Sequence, residues 1–501
     1  MLDLSNIFTN GNKWLYDTLT KEKQPVLPND YCLEILYTQD HYENGGSGKA
    51  LKQLIEYVKL LDFPEFFIYV HTNNKNIRQE LEQLGSGINV IEIDGDFKHI
   101  EKTYNSLCVL PWIHFYINPQ GQIGSCCEFN EQHEIGNLNK DQLVDIPNNA
   151  KFKKIRSDML QNKRPEICSS CWHAEDNHIK SMRLQMNSRF EQHLPLVKQT
   201  EQDGTFDNFK LRYLDFRASN VCNLMCRMCS GKFSSKIAQE EKEIYGNQHY
   251  VELKLTDNQI AKTLDYIEQN INNLDQIYFA GGEPLLMSEH YQILDLLLKY
   301  NKTDILISYN TNLTRLTYKS TNIVNYWRQF KNIYVGASID LIGPQADYWR
   351  SGTIYKDLEK NYLAINDYVD FNITSTVHMA NIFNLPQLQQ HWITNFGLTP
   401  NKFNVSILKY PKEQSLQVLP KEFKVKASIN TQGHIRWLET ISGSEQLVKQ
   451  WNDVLQYMNR SDESHLLEEF FRLNDDKDRN RNQSFENVFP EFKELRSYAK
   501  N

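Results

Sequence analysis

Three cysteines fall within eight residues in Cys222-Asn223-Leu224-Met225-Cys226-Arg227-Met228-Cys229. As thiolates they can hold a metal group. Three is one ligand short of what a cubane iron-sulfur cluster takes from a protein, so one iron would stay open to an outside ligand. An incomplete ligand shell marks a catalytic rather than a structural metal site. Buried structural cysteines or part of a zinc site are the other readings of this spacing alone. A second group lies upstream: Cys108, Cys126, Cys127, Cys168 and Cys171. Five sulfurs suffice for a closed four-ligand site, and their spacing suits a zinc ribbon as well as a cluster.

Other chemistry-bearing residues lie downstream. In Gly281-Gly282-Glu283-Pro284 two glycines allow close backbone approach to a ligand, and the carboxylate can pair with an ammonium. Asn310, Asn312, Ser338, Asp340, Arg350 and His378 follow near the ends of strand-like runs. Cys32 stands apart in an apolar run and reads as a small core residue. His114, His133, His173 and His178 read as surface or supporting groups rather than ligands. Trp112 reads as core.

The elements that must position these residues form an alternating pattern. From about residue 205, strand-like runs at Leu211 to Arg217, Gln276 to Ala280, Ile305 to Asn310, Ile333 to Ile339, Phe371 to His378 and Phe403 to Leu408 alternate with helix-length stretches. These include Ser288 to Tyr300, Tyr318 to Phe330 and Ile354 to Tyr368. Six such repeats predict a parallel α/β barrel or doubly wound sheet, with loops at the carboxyl ends of the strands carrying the site. Residues 30 to 95 predict a small βαβαβ unit, with strands at Cys32 to Tyr37, Phe66 to His71 and Ile88 to Ile93 and helices near Lys49 to Leu61 and Ile77 to Leu84. Past Pro411 a strand-like stretch (Phe423 to Ile429) precedes charged helical sequence, and Asp475 to Asn482 reads as an exposed loop.

The C-x3-C-x2-C loop after the first barrel strand, with Gly-Gly-Glu-Pro after the second, resembles the radical S-adenosylmethionine (SAM) superfamily. Met228 stands where many members carry an aromatic residue. The Gly121-x4-Cys126 spacing, Ile135-Gly136-Asn137-Leu138 and a late C-x2-C resemble the SPASM and twitch auxiliary-cluster modules. One C-x2-C pair suits the shorter twitch form, although the module commonly follows the barrel and here precedes it. The resemblance spans roughly residues 105 to 410. It implies a partial (β/α)6 TIM-like barrel at 205–410, preceded by an auxiliary [4Fe-4S] module at 101–204 and the N-terminal α/β domain at 1–100, and followed by a mostly helical extension at 411–501. It assigns Cys222, Cys226 and Cys229 to a SAM-binding [4Fe-4S] cluster. Cys108, Cys126, Cys168 and Cys171 go to the auxiliary cluster, with Cys127 in reserve. Gly281, Gly282, Glu283, Asn310, Ser338, Asp340 and Arg350 are assigned to SAM, Ser338 near its ribose and carboxylate and Arg350 on the carboxylate.

The implied activity is reductive cleavage of SAM to a 5′-deoxyadenosyl radical that takes hydrogen from a substrate. A peptide or protein is the first expectation and a small molecule such as a sugar the second; a non-catalytic metal-cluster scaffold is the rival class. A flavodoxin- or ferredoxin-type one-electron donor is the expected partner. Composition agrees with a compact soluble chain of 501 residues: 40% hydrophobic, 24% charged and 12% aromatic. A net charge of −8 offers no overall attraction to a phosphate backbone, so nucleic acid is not the expected partner. No membrane span or export signal is apparent, and nine cysteines without such a signal suit the reducing cytoplasm.

Overall fold

The computed structural model describes the strands Cys32–Thr38 (β1), Glu65–His71 (β2) and Ile88–Glu92 (β3), Ile100, and residues 103–129, 133–176, 180–246 and 251–499. The chain divides into two compact units. Residues 1–109, 156–165 and 177–202 form one, and residues 110–155, 166–176 and 203–501 the other.

In the first unit β1, β2 and β3 pair in parallel in chain order, Cys32 opposite Glu65 and Phe66 opposite Ile88. Parallel neighbours need crossover connections, as the βαβαβ pattern requires. The two helices expected there, and the side chain of Cys32, lie outside the described residues.

The second unit is built on one sheet. Its strands are His114–Ile117 (β4), Gln122–Gly124 (β5), Gly136–Asn137 (β6), Tyr213–Phe216 (β7), Gln276–Phe279 (β8), Leu306–Thr311 (β9), Asn332–Ala337 (β10), Asp370–Val377 (β11) and Phe403–Ile407 (β12). They lie in the order β12-β11-β10-β9-β8-β7-β4-β5-β6. From β7 to β12 all pairings are parallel and follow chain order, with helices such as Ser288–Lys299, Tyr355–Ile365 and Leu385–Phe396 in the connections. This is the partial barrel expected from the six repeats. The upstream segment extends the same sheet, because β4 pairs in parallel with β7 and β5 and β6 add antiparallel. The turn between β4 and β5 closes by Gly121 N–H donating to the Asn118 carbonyl at 2.9 Å; Gly121 has φ +75°, which glycine adopts without steric cost.

Alternation decides the two faces of the sheet. Phe115, Leu214, Ile277, Ile307, Val335, Ile373 and Val405 are buried. Asn310, Asn404 and Ser406 on the other phase are exposed, and Asn372 and Thr374 half-buried. A period of two on strands one to two residues out of phase gives one apolar and one polar face.

Three expectations are corrected. The stretch from Phe423 is no strand but the start of an 18-residue helix, Lys421–Leu438; its buried positions Phe423, Ala427, Thr431, Ile435 and Leu438 recur every three or four residues. The expected loop at 475–482 belongs largely to the helix Leu467–Arg481, whose buried face runs Leu467, Phe470, Phe471, Asn474 and Asp478. The expected helix from Tyr318 is broken: Lys319 has φ +52°, Thr317–Tyr318 pairs with Thr321–Asn322, and only Val324–Trp327 is helical. His114 is 1% exposed on β4, which leaves the supporting role of the two that the sequence offered. Trp112 is core, as expected.

Candidate metal and SAM site

The cysteine loop follows β7 and is tied down by backbone pairing. Met225–Cys226 pairs antiparallel with Arg350–Ser351, Arg350 opposite Cys226. Cys229 N–H donates to the Cys226 carbonyl at 3.0 Å, which closes the turn between the last two thiols. The Gly-Gly-Glu loop presses on it from β8. Gly282 N–H donates to the Ser219 carbonyl at 3.1 Å and Glu283 N–H to the Val221 carbonyl at 2.8 Å. A Cβ at Gly282 would sit 2.1 Å from the Val221 oxygen, so the glycine is needed for the two loops to meet.

Donors converge on the sulfurs. The Leu224 N–H lies 3.5 Å from Cys222 Sγ, Asn312 Nδ2 3.9 Å from the same atom, and Arg350 Nη1 3.6 Å from Cys226 Sγ. Burial, and next the neighbouring thiol of Cys226, push the Cys229 thiol up to about 12. Cys222 and Cys226 are raised as well, burial being the main cause in both. Such thiols keep their protons until a metal replaces them, and a coordinating thiol is deprotonated outright. Among the described residues no three His, Cys, Asp or Glu side chains are gathered to hold a single metal ion. Three desolvated sulfurs with N–H donors aimed at two of them fit a cluster, whose several irons bind ligands that do not share one metal ion.

The residues assigned to SAM fall into two groups. Ser338, Asp340 and Arg350 line one narrow cleft together with Asn312, Trp349 and Thr353. There Arg350 Nε donates to Asp340 Oδ2 at 2.6 Å, and Asp340 Oδ1 accepts the Thr376 N–H at 2.7 Å. Arg350 thus joins a buried carboxylate to Cys226. Glu283 instead turns inward and is 2% exposed. Its Oε1 accepts from the Thr311 hydroxyl at 2.6 Å and the Leu285 N–H at 3.1 Å, and its Oε2 from the Asn312 N–H at 2.8 Å. Burial outweighs these bonds and pushes its carboxyl up to about 7. The side chain therefore pins the loops after β8 and β9 together. Asn310 is exposed on the polar face of β9. His378 is fully buried, stacked on Trp349 at 4.0 Å, and neither ring nitrogen has a hydrogen-bond partner.

Among the upstream cysteines, Cys127 serves Asp215, which also takes both Arg217 nitrogens at 3.0 Å; burial pushes the Cys127 thiol up to about 12. Cys168 ends the turn Glu166–Cys168 and Cys171 sits one helical turn later in Ser169–Asp176, so both lie on one helix face. In the first unit Cys108 is flanked by pinned backbone: Asn187 Oδ1 accepts the Val109 N–H at 2.8 Å, and Arg183 and Asn187 donate to the Leu107 carbonyl at 2.7 and 2.9 Å.

Sequence reading missed the C-terminal clamp on the cysteine loop. Arg227, between the second and third thiols, is 1% exposed. It donates to the Tyr348 carbonyl at 3.1 Å, Asn474 Oδ1 at 2.7 Å, Asp478 Oδ1 at 2.5 Å and Gln483 Oε1 at 2.8 Å, and its guanidinium lies 3.7 Å from the centre of the Tyr348 ring. Arg481 from the same helix pairs with Glu240 through Nε at 2.6 Å and donates to the Met225 carbonyl at 2.8 Å. The usable signal was the three-to-four spacing of Phe470, Asn474, Asp478 and Arg481.

Residues 217–382 match the Radical SAM superfamily, and residues 108–172 match SPASM, an iron-sulfur cluster-binding domain. Residues 217–382 thus carry a radical SAM domain and residues 108–172 a SPASM module. The first domain implies a SAM-binding [4Fe-4S] cluster and the second auxiliary iron-sulfur binding. Native anSMEcpe with bound AdoMet is a similar solved structure, at 18% identity and TM-score 0.32, covering 46% of this chain and 60% of that one. The chain spans about three fifths of that protein's length. The cobalamin-dependent S-adenosylmethionine radical enzyme OxsB, with aqua-cobalamin bound, is similar at 12% identity and TM-score 0.28, covering 96% and 56%. No curated protein matches. Among the described residues no helix is long and apolar enough to cross a membrane.

Proposed function

We propose that this protein is an enzyme that cleaves SAM reductively and uses the radical on a peptide or protein. The observation that carries the cleavage is the loop itself: three desolvated thiols with Arg350, Asn312 and a backbone N–H directed at their sulfurs. A cluster held by Cys222, Cys226 and Cys229 supplies, when bound, an open iron for the SAM amine and carboxylate and the electron that breaks its sulfonium bond. The protein's own residues bind, orient and exclude water. Asp340 fixes the Arg350 guanidinium, Glu283 locks the two loops that flank the thiols, and Ser338 and Asn312 line the cleft for the nucleoside and methionine parts of SAM. Cys108, Cys126, Cys168 and Cys171 are the ligand set we propose for a single auxiliary cluster.

The polar face of the barrel strands supports the peptide reading. Asn310, Asn372, Thr374, Asn404 and Ser406 offer uncharged donors and acceptors in rows, half-buried or exposed, which matches the amides of a chain better than a charged metabolite. The thiol chemistry suits the reducing cytoplasm. The test is anaerobic: the reconstituted protein with SAM and dithionite should form 5′-deoxyadenosine, and a reduced protein whose spectrum ignores SAM would overturn the assignment.

A further inference from the structure

A cavity of about 410 Å³ meets the cysteine loop at its other end, where Met228, Cys229 and Ser230 form part of the wall. It shares no lining residue with the cleft that holds Ser338, Asp340 and Arg350. Much of its wall comes from beyond the matched superfamily segment: Tyr410, Glu413, Phe470 and Lys477 all follow residue 382. None of the groups assigned to SAM lines it.

What an occupant could do there follows from which atom it meets. Cys229 is a proposed cluster ligand, so contact is with a sulfur already bonded to iron and not with an open coordination position. Such a contact can pass an electron but cannot activate a bound molecule. The rim is aromatic. Phe233, Tyr245 and Tyr410 are 47%, 42% and 72% exposed and line the same cavity, and large exposed rings brought together mark a binding surface. Lys477 places an ammonium in the wall, held by its bond to the Arg227 carbonyl at 3.1 Å. Glu241 and Glu413 stand on the same wall. Rings favour a planar aromatic group, while Lys477 set against Glu241 and Glu413 leaves the wall without a strong preference of charge.

We propose that this cavity is the docking port of a flavoprotein one-electron donor, which seats the edge of its reduced flavin against Phe233, Tyr245 and Tyr410 and delivers the electron through Cys229. The flavin hydroquinone loses one electron and the cluster gains it; no bond forms or breaks. The inference rests on the SAM reading above.

The test uses the holoenzyme and a flavodoxin. Phe233→Ala with Tyr410→Ala, and separately Tyr245→Ala, should weaken flavodoxin binding, and slow flavodoxin-driven cluster reduction in stopped flow, on the order of tenfold, as the loss of aromatic anchors does at interfaces. Deoxyadenosine formation driven by dithionite, which needs no docking, should stay within about twofold, less than the loss of one such anchor. Unchanged binding and reduction by flavodoxin would overturn the port. So would an equal loss with dithionite, because the cavity would then serve SAM or the substrate. If the wild type makes no deoxyadenosine even with dithionite, the SAM reading fails by itself, and the flavodoxin binding titration still decides the port.

Discussion

The two cysteine groups are built in opposite ways. Cys222, Cys226 and Cys229 are contiguous and sit inside one compact unit, bracketed by three buried pairs: Arg227 with Asp478, Arg350 with Asp340 and Arg481 with Glu240. Cys108, Cys126, Cys168 and Cys171 are spread over 64 positions of the sequence, and Cys108 belongs to one unit while the others belong to the second. Where a cluster must present an open iron, the loop is short and its surroundings are rigid, because small displacements cost reactivity. The upstream group has local pins of its own, such as Asn187 beside Cys108.

The largest test of that contrast is loss of one ligand from each group. Cys226→Ala should abolish deoxyadenosine formation, whereas Cys171→Ala should leave SAM cleavage with roughly half the iron bound, since each cubane carries its own share. Iron analysis and electron paramagnetic resonance of the reduced proteins separate the two. If Cys171→Ala also stopped SAM cleavage, the auxiliary group would be part of the catalytic assembly, and the contrast would be wrong.

Next comes the clamp. Asp478→Ala leaves the Arg227 guanidinium buried without its carboxylate, and an uncompensated buried charge costs about 3–5 kcal/mol. Urea unfolding should show it, and Arg227→Met added to Asp478→Ala should recover part of the loss. Breaking the part-exposed pair of Lys153 with Asp203 should shift unfolding far less, since solvent screens such pairs.

Why the first group was legible and its clamp was not follows from distance along the chain. The three thiols and the Gly-Gly-Glu loop each sit just after a strand whose apolar residues alternate, so motif and element could be read in one short window. Arg227 finds Asp478 across 251 positions, and no local pattern announces such a pair. The helix that carries Asp478 was hidden by its own composition: Asn474, Asp475, Asp476 and Asp478 are residues that favour loops, and tertiary packing overrode that preference through Phe470 and Phe471. Glu283 was legible only in part: its motif pointed to a ligand ammonium, but that its oxygens accept from Thr311, Leu285 and Asn312 depends on the approach of β9, which no local pattern announces.

That carboxylate gives a smaller test. Glu283→Gln places an amide NH2 toward donors, leaving at least one buried group unsatisfied at about 1–3 kcal/mol. Glu134→Gln should cost less. Its side chain is 30% exposed and accepts from Asn137 and Lys140 near the upstream group, and water can replace what the amide does not supply.

The smallest effect compares one buried histidine from each region through pH. Burial lowers both His114 on β4 and His290 behind β8 to about 3. A base whose folded value lies below its ordinary 6.5 takes up its proton in the unfolded chain first. Stability is therefore intact above pH 6.5 and is lost as pH falls from there toward 3, by up to about 1.4 kcal/mol per pH unit for each histidine. His290→Leu should flatten the slope between pH 6.5 and 5 by one proton's worth, read from denaturation midpoints at each pH. His114 bonds the Tyr213 carbonyl through Nδ1 at 2.9 Å, whereas Nδ1 of His290 has no partner. If His114→Leu flattened the slope much less than His290→Leu, that carbonyl would be holding a proton on His114 in the folded state, and the strand that joins the upstream module to the barrel would carry a buried charge that its neighbour lacks.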